Sequence, residues 1–272
     1  MQIQLKDRLP IVTVERGKVH VENGAFTISD VNEDMVERIP VASISCVMLQ
    51  PGTSISHAAV CLAAKHNCLL LWVGDAGVRV YSSGAVTHNA EKIVHQATLF
   101  SSKRHRSKVA KVLYNLRFGG VLPIVSTIEK LRGIEGARTA ALYKSLAAAH
   151  GLVWTGRTNN SSSEWKDQTT LNRVLNVANS ALYGLCEAGI LMSGYSPAIG
   201  FMHCGNRRSF VFDIADVYKF STVVPMAFQI VANNQNSSAV EMERLTRHSC
   251  KRLFWSERLL EKLVPTIESV LR

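Results

Sequence analysis

At 272 residues, 47% apolar and 19% charged, the chain is long and apolar enough for one large domain or two modest ones, which excludes a disordered polyelectrolyte. The formal net charge of +10 is unevenly placed: residues 1–88 hold 7 Lys and Arg against 8 Asp and Glu, leaving 24 against 13 for residues 89–272. A half that carries all the excess positive charge points to a polyanion as partner, with a basic but inert solvated surface as the alternative. The start, MQIQLKDRLP, has no apolar segment behind its charges, so no signal peptide is expected, and the lack of an uninterrupted run of about 18 apolar residues predicts no membrane span. The six cysteines (Cys46, Cys61, Cys68, Cys186, Cys204 and Cys250) include no CxxC pair, which predicts reduced thiols in a cytoplasmic protein rather than disulfides or a zinc site.

The first part reads as β-rich. IVTVE, KVHVE, AFTIS, SCVML and CLLLWVG are short runs of β-branched and apolar residues, separated by turn signals at Arg16-Gly17, Asn23-Gly24 and Pro51-Gly52. One helix interrupts them, SISHAAVCLAAKHN, with Ser54 or Ser56 as its N-cap. A parallel or mixed sandwich with one inserted helix is the simplest architecture. From residue 89 the pattern turns helical: residues 91–118, 125–150, 170–194, 209–220 and 240–271 each read as one segment, and TGRTNNSSSEWKD forms a polar loop between the second and third. The fold class expected is α+β, a small N-terminal β-rich domain (1–88) followed by a larger all-α C-terminal domain (89–272).

Three places in the helical half carry acids or imidazole that packing does not explain. In LRGIEGAR, Glu135 has Arg132 at i−3 and Arg138 at i+3, which suits ordinary surface ion pairs as well as a functional site. His203 closes the apolar stretch PAIGFMH, either as a satisfied loop residue or as a ligand. Asp213 and Asp216, at i, i+3 in SFVFDIADVYKF, share a helical face among apolar neighbours, and two inward carboxylates repel unless a cation joins them. Carboxylates with one imidazole suit Mg2+ or Mn2+, and a metal on a basic surface suits phosphodiester chemistry. Lys219, three residues past Asp216, is placed to touch a phosphate or to pair with Asp216. No GxxxxGK[ST], GxGxxG after a strand, HExxH or GxSxG is present, which argues against an NTPase, dehydrogenase, zincin or α/β-hydrolase.

LRGIEGAR, PAIGFMH and SFVFDIADVYKF, in that order and spacing, resemble the CRISPR-associated spacer-acquisition integrase family, Cas-one. LKDR, ENGAF, IPVASISCVMLQPGTSISHAAV and LLLWVGDAGVRVY resemble its type I-E-like subtype. The resemblance implies a β domain followed by an all-α domain, and Glu135, His203 and Asp216 as metal ligands. It places Asp213 as an acidic neighbour at the site, with Tyr183 of SALYGL near the metal. It also implies a homodimer that assembles with a small adaptation partner (Cas-two) and joins a double-stranded protospacer with 3′-hydroxyl ends into a CRISPR array. Arg16 stands where the resemblance leads one to expect an aromatic residue that stacks on the duplex end.

The reaction so implied is transesterification, in which a DNA 3′-hydroxyl displaces another 3′-oxygen from a phosphodiester and no ATP is needed. Asp213, Tyr183 and Lys219 are the candidate residues beside the metal ligands. Arg79, Arg132, Arg138, Arg207, Arg208, Arg244, Arg247, Lys251 and Arg252 are the candidate DNA contacts; the last four recur at helical spacing and read equally as a solvated face balanced by Glu241, Glu243 and Glu257. Two rivals remain: a DNA-binding scaffold whose acids form structural ion pairs, and a metal-dependent nuclease that only degrades DNA.

Overall fold

Alternating apolar residues and tight glycine turns organise the first half into two sheets. The computed structural model describes residues 12–29, 36–74, 80–84, 90–119, 128–157 and 169–272. In chain order the strands are β1 (Val12–Val14), β2 (Gly17–Glu22), β3 (Ala25–Ser29), β4 (Val36–Ile39), β5 (Cys46–Leu49), β6 (Thr53–Ile55), β7 (Leu69–Val73) and β8 (Val80–Gly84), with helix α1 (His57–Lys65) between β6 and β7. One sheet runs β1-β5-β7-β8, parallel except for its last pair, and the other runs β4-β3-β2-β6, antiparallel except for β2 with β6. Asn23 (φ 51°) and Gly24 (φ 75°) make the two-residue turn between β2 and β3, the conformation whose twist matches the flanking strands. Ser56 caps α1 by accepting from the Ala59 N–H at 3.2 Å, and Ser54 lies in β6 instead. Ala59 and Ala63 of α1 pack into a core with Val19, Phe26, Leu49 and Leu70.

The second half is helical: α2 (Glu91–Ser101), α3 (Lys103–Arg117), α4 (Ile128–Ala149), α5 (Thr170–Met192), α6 (Ser209–Tyr218), α7 (Val223–Asn233), α8 (Ala239–Ser256) and α9 (Leu259–Val270). Two segments that the periodicity runs together are each broken. Ser102 turns extended (ψ 117°) and its hydroxyl caps α3, accepting from the His105 N–H, while Arg258 takes a left-handed conformation (φ 48°) between α8 and α9. Helix α5 is long and apolar enough to cross a membrane by composition, but here it is the buried axis of the helical half, packed by α6, α7, α8 and α9. Ala188 and Met192 of α5 share a further apolar cluster with Cys46, Met48, Leu69 and Leu71 of the first sheet, so the two halves meet through a common core. The expected boundary at 88/89, most of the polar loop (158–167) and Arg79 lie outside the described residues. All six cysteines are free thiols.

Candidate active site

The segment from Pro197 to His203 is tied down from four helices before any chemistry is asked of it. Buried Gln96 of α2 donates to the carbonyls of Ser196 (3.0 Å) and Ile199 (2.9 Å) and accepts from the Ser196 N–H at 2.8 Å. Arg106 of α3 donates to the Phe201 carbonyl at 3.1 Å, and Arg132 of α4 to that of Met202 at 2.6 Å. Gly200 leaves no room for a side chain, since a Cβ there would sit 2.5 Å from the His203 carbonyl oxygen. From α6, fully buried Asp213 accepts the backbone N–H groups of Phe201, Met202 (3.1 Å) and His203 (2.9 Å), as well as His203 Nδ1 at 2.8 Å. Asp213 therefore needs no cation: its charge is spread over three amides and an imidazole.

Asp216, one turn further along α6, solves its burial differently. It accepts from Arg117 Nη1 (3.0 Å) at the end of α3 and from Lys219 Nζ (3.3 Å). The same Nη1 donates to Glu135 Oε1, and Tyr114 Oη donates to Glu135 Oε2 at 3.0 Å. Glu135 and Asp216 thus converge from α4 and α6 on one nitrogen of a guanidinium that is only 3% exposed. One sequence-based expectation is corrected here and another holds in part. Arg132 and Arg138 do not pair with Glu135: Arg132 holds the Met202 carbonyl and Arg138 stacks over Phe118 at 4.8 Å. The cation expected beside the two aspartates does join Asp216, through Lys219 and Arg117, whereas Asp213 is held by backbone amides and an imidazole.

His203 stays 44% exposed. Its pKa is raised, first by the hydrogen bond its ring donates to Asp213, against some loss from burial, and then by the charges of Asp213, Asp216 and Glu135, which places all three acids within electrostatic reach. With Nδ1 committed to a carboxylate, Nε2 is the atom left to ligate, the carboxylate–histidine arrangement common behind metal-bound imidazoles. Tyr183 packs edge-on against Phe212 (centroids 5.0 Å apart), and burial and then the charge of Asp216 push its hydroxyl up to about 12, so it stays protonated and can only donate to an anion. Arg208 lies over Phe212 at 5.6 Å, and Arg207 is exposed beside it in the turn before α6.

The remaining basic residues divide by partner. On α8, Arg247 pairs with Glu243 (3.2 Å) and Lys251 with Glu15 of the β half, whereas Arg244 is exposed and Arg252 lines a shallow groove with Met226, Ile230 and Trp255. Arg16 is exposed, its side chain lying against Gly52 at the turn after β1.

The donor set of Glu135, Asp216 and His203, two hard carboxylates and one imidazole, fits Mg2+ or Mn2+, and the two acids already converge on a cationic atom. Among the described residues, however, no three His, Cys, Asp or Glu stand close enough to hold an ion without rearrangement. Arg117 lies between the two acids. Sequence reading missed it and Tyr114, yet a signal exists: Ala110, Leu113 and Tyr114 form the buried stripe of α3, and Arg117 falls where that stripe calls for one more apolar residue.

Comparison with known proteins gives the family of this β half joined through a common core to a helical half. The family model "CRISPR associated protein Cas1" matches residues 11–121 and 117–253. Proteins named CRISPR-associated endonuclease Cas1 from Geobacter sulfurreducens and Escherichia coli K12 are 44% and 45% identical over 270 residues, covering 99% of this chain and 86% and 87% of theirs. The crystal structure of a TtCas1–DNA complex superposes with a TM-score of 0.88 at 33% identity, covering 100% of this chain and 99% of that one. The chain belongs to the Cas1 family.

Proposed function

We propose that this chain is a metal-dependent DNA endonuclease and integrase of CRISPR adaptation, which joins protospacer 3′-hydroxyl ends into the repeat of a CRISPR array. The carrying observation is the convergence of Glu135 and Asp216 on one cationic nitrogen, beside a histidine already oriented by Asp213. The names of the curated relatives and the DNA in the TtCas1 complex support the substrate class.

Glu135, His203 and Asp216 would hold the ion, and Mg2+ or Mn2+ bound there supplies Lewis-acid charge to the attacking and leaving oxygens of a phosphodiester. The protein's own work is positioning. Asp213 fixes the His203 ring, Lys219 balances Asp216 and offers a donor to a phosphate, Tyr183 stays protonated, and Arg207 and Arg208 present guanidinium groups at the rim. In the joining step an O–P bond forms from a 3′-hydroxyl and an equivalent O–P bond breaks, the proton passing to solvent and the released 3′-oxygen taking one up. Water in place of the hydroxyl gives nicking. Branched duplex DNA should therefore be nicked with Mn2+ or Mg2+ and left intact with EDTA. The scaffold reading has one observation in its favour, the Arg117 ion pairs, and metal-independent binding without cleavage under any condition would establish it.

The partners in this reading are double-stranded DNA, a second copy of the chain and Cas-two, in the cytoplasm. The near-neutral β half is the natural dimer surface, because the basic helical halves repel; sedimentation as a 30.0 kDa monomer at micromolar concentration would contradict it. DNA contacts fall to the basic half, so affinity should drop steeply with salt, each neutralised phosphate adding about −0.9 to the log–log slope. A flat titration between low and physiological ionic strength would refute backbone-dominated binding.

A further inference from the structure

The acid pair carries its own cation, and that cation is built in rather than borrowed from a mobile surface. Arg117 Nη1 bridges Glu135 and Asp216, Nη2 reaches Thr139 Oγ1 at 3.4 Å, and the guanidinium carbon lies over the rings of Phe220 (5.0 Å) and Phe118 (5.6 Å). Its Nε is buried with no hydrogen-bond partner, an orphan donor accepted in order to aim the fork at the two carboxylates. A guanidinium so enclosed is held by aromatic faces and a hydroxyl as well as by its ion pairs, which an adventitious surface arginine is not.

We infer that Arg117 is a resident counter-cation of the metal site: it holds Glu135 and Asp216 in place before an ion arrives and competes with that ion for the same two carboxylates. The inference rests on the metal-dependent reading of the site. The electrostatics are direct. With Arg117 and Lys219 opposite Glu135 and Asp216, the four side chains sum to zero charge, so the acids do not repel and the fold does not depend on metal. A divalent ion held by the same acids would compete with the Arg117 Nη1 that now lies between them. Arg117 is thus a positioning residue that sets loading, keeping the isolated site weak for metal until other oxygen ligands, such as a DNA phosphate, join the set.

The test is Mn2+ binding to the full chain, followed by calorimetry and by the electron-resonance signal of free Mn2+, for the wild type, Arg117→Gln and Arg117→Lys. Arg117→Gln removes the competing charge and should tighten Mn2+ binding by roughly ten- to a hundredfold, while Arg117→Lys keeps the charge and should stay near wild type. In EDTA, Arg117→Gln should melt lower than wild type, and Mn2+ should recover its melting temperature by more than it shifts that of wild type. If Arg117→Gln folds only when Mn2+ is present, that dependence is the expected result in its strongest form; failure of Mn2+ to rescue it overturns the inference. Mn2+ bound by wild type but bound equally or more weakly by Arg117→Gln leaves the metal reading standing and sinks the counter-cation role. No Mn2+ bound by any of the three sinks both.

Discussion

Asp216→Asn should abolish DNA joining and nicking, by orders of magnitude in rate, while leaving duplex affinity unchanged or slightly tighter. The substitution keeps the shape and one acceptor oxygen of a buried side chain that Arg117 and Lys219 both contact, but it removes the negative charge that an ion needs. In the proposed reaction the rate depends on the ion's positive charge at the reacting oxygens, so losing one ligand would remove an interaction made in the transition state. Affinity depends on cations facing phosphates, and one fewer carboxylate among them cannot weaken it. The fold should suffer modestly. Arg117 keeps Glu135 and the ring faces of Phe118 and Phe220, so the cost should stay below the ~3–5 kcal/mol typical of a buried charge left with no partner. Glu135→Gln and His203→Ala should match it in activity and fail to add to it, because the three act as a unit. Cleavage at wild-type rates by Asp216→Asn would remove this site from the chemistry.

Asp213→Ala should do something different: it should unfold the site. Asp213 is completely buried and is the common acceptor for three backbone amides and an imidazole. Alanine leaves those donors facing an apolar helix, at about 1–3 kcal/mol for each buried donor that water cannot reach. A total loss of about 3–5 kcal/mol corresponds to a melting temperature lower by roughly 10 °C in a chain of this size. Asp213→Asn should be milder in stability, since one acceptor survives, yet its amide cannot hold His203 Nδ1 and the N–H cluster together. Scanning calorimetry with a fall under about 3 °C for Asp213→Ala would show that the loop is held by Gln96, Arg106 and Arg132 alone.

These two aspartates, three residues apart, show where the sequence speaks and where it stops. Carboxylates within SFVFDIADVYKF are visibly out of place on an apolar helix, so their importance is readable locally. Their roles are not, because those are set by groups far off in the chain: Arg117 is 99 residues from Asp216, and the amides that Asp213 accepts are 10 to 12 residues before it. Glu135, His203 and Asp216 stood out as a set through family resemblance, whereas Arg117 and Tyr114 passed as ordinary members of a basic helix.

The fold divides in the same way. β1, β2, β3, β5 and β7 have enough β-branched and apolar residues to announce themselves, whereas β4, β6 and β8 read as VERI, TSI and VYSSG and exist because a neighbouring strand pairs with them. Helix α7 escaped the periodicity reading because VVPMAFQIVAN has little polar face to contrast with its buried one, and Pro225 sits in its first turn, where a missing N–H costs nothing. The break at Ser102 rests on a capping serine hidden inside a continuous helical pattern, and that at Arg258 on a left-handed backbone angle that arginine does not call for.

The most direct measurement of the central claim is covalent joining. The protein, the proposed Cas-two partner, a protospacer duplex with 3′-hydroxyl ends and a supercoiled plasmid bearing the array are incubated with Mg2+ or Mn2+, and the plasmid is probed for attached protospacer. The account predicts joined product that requires both the divalent ion and the 3′-hydroxyl. Duplex bound with no joined product at any metal concentration, or joining that survives EDTA, would contradict it.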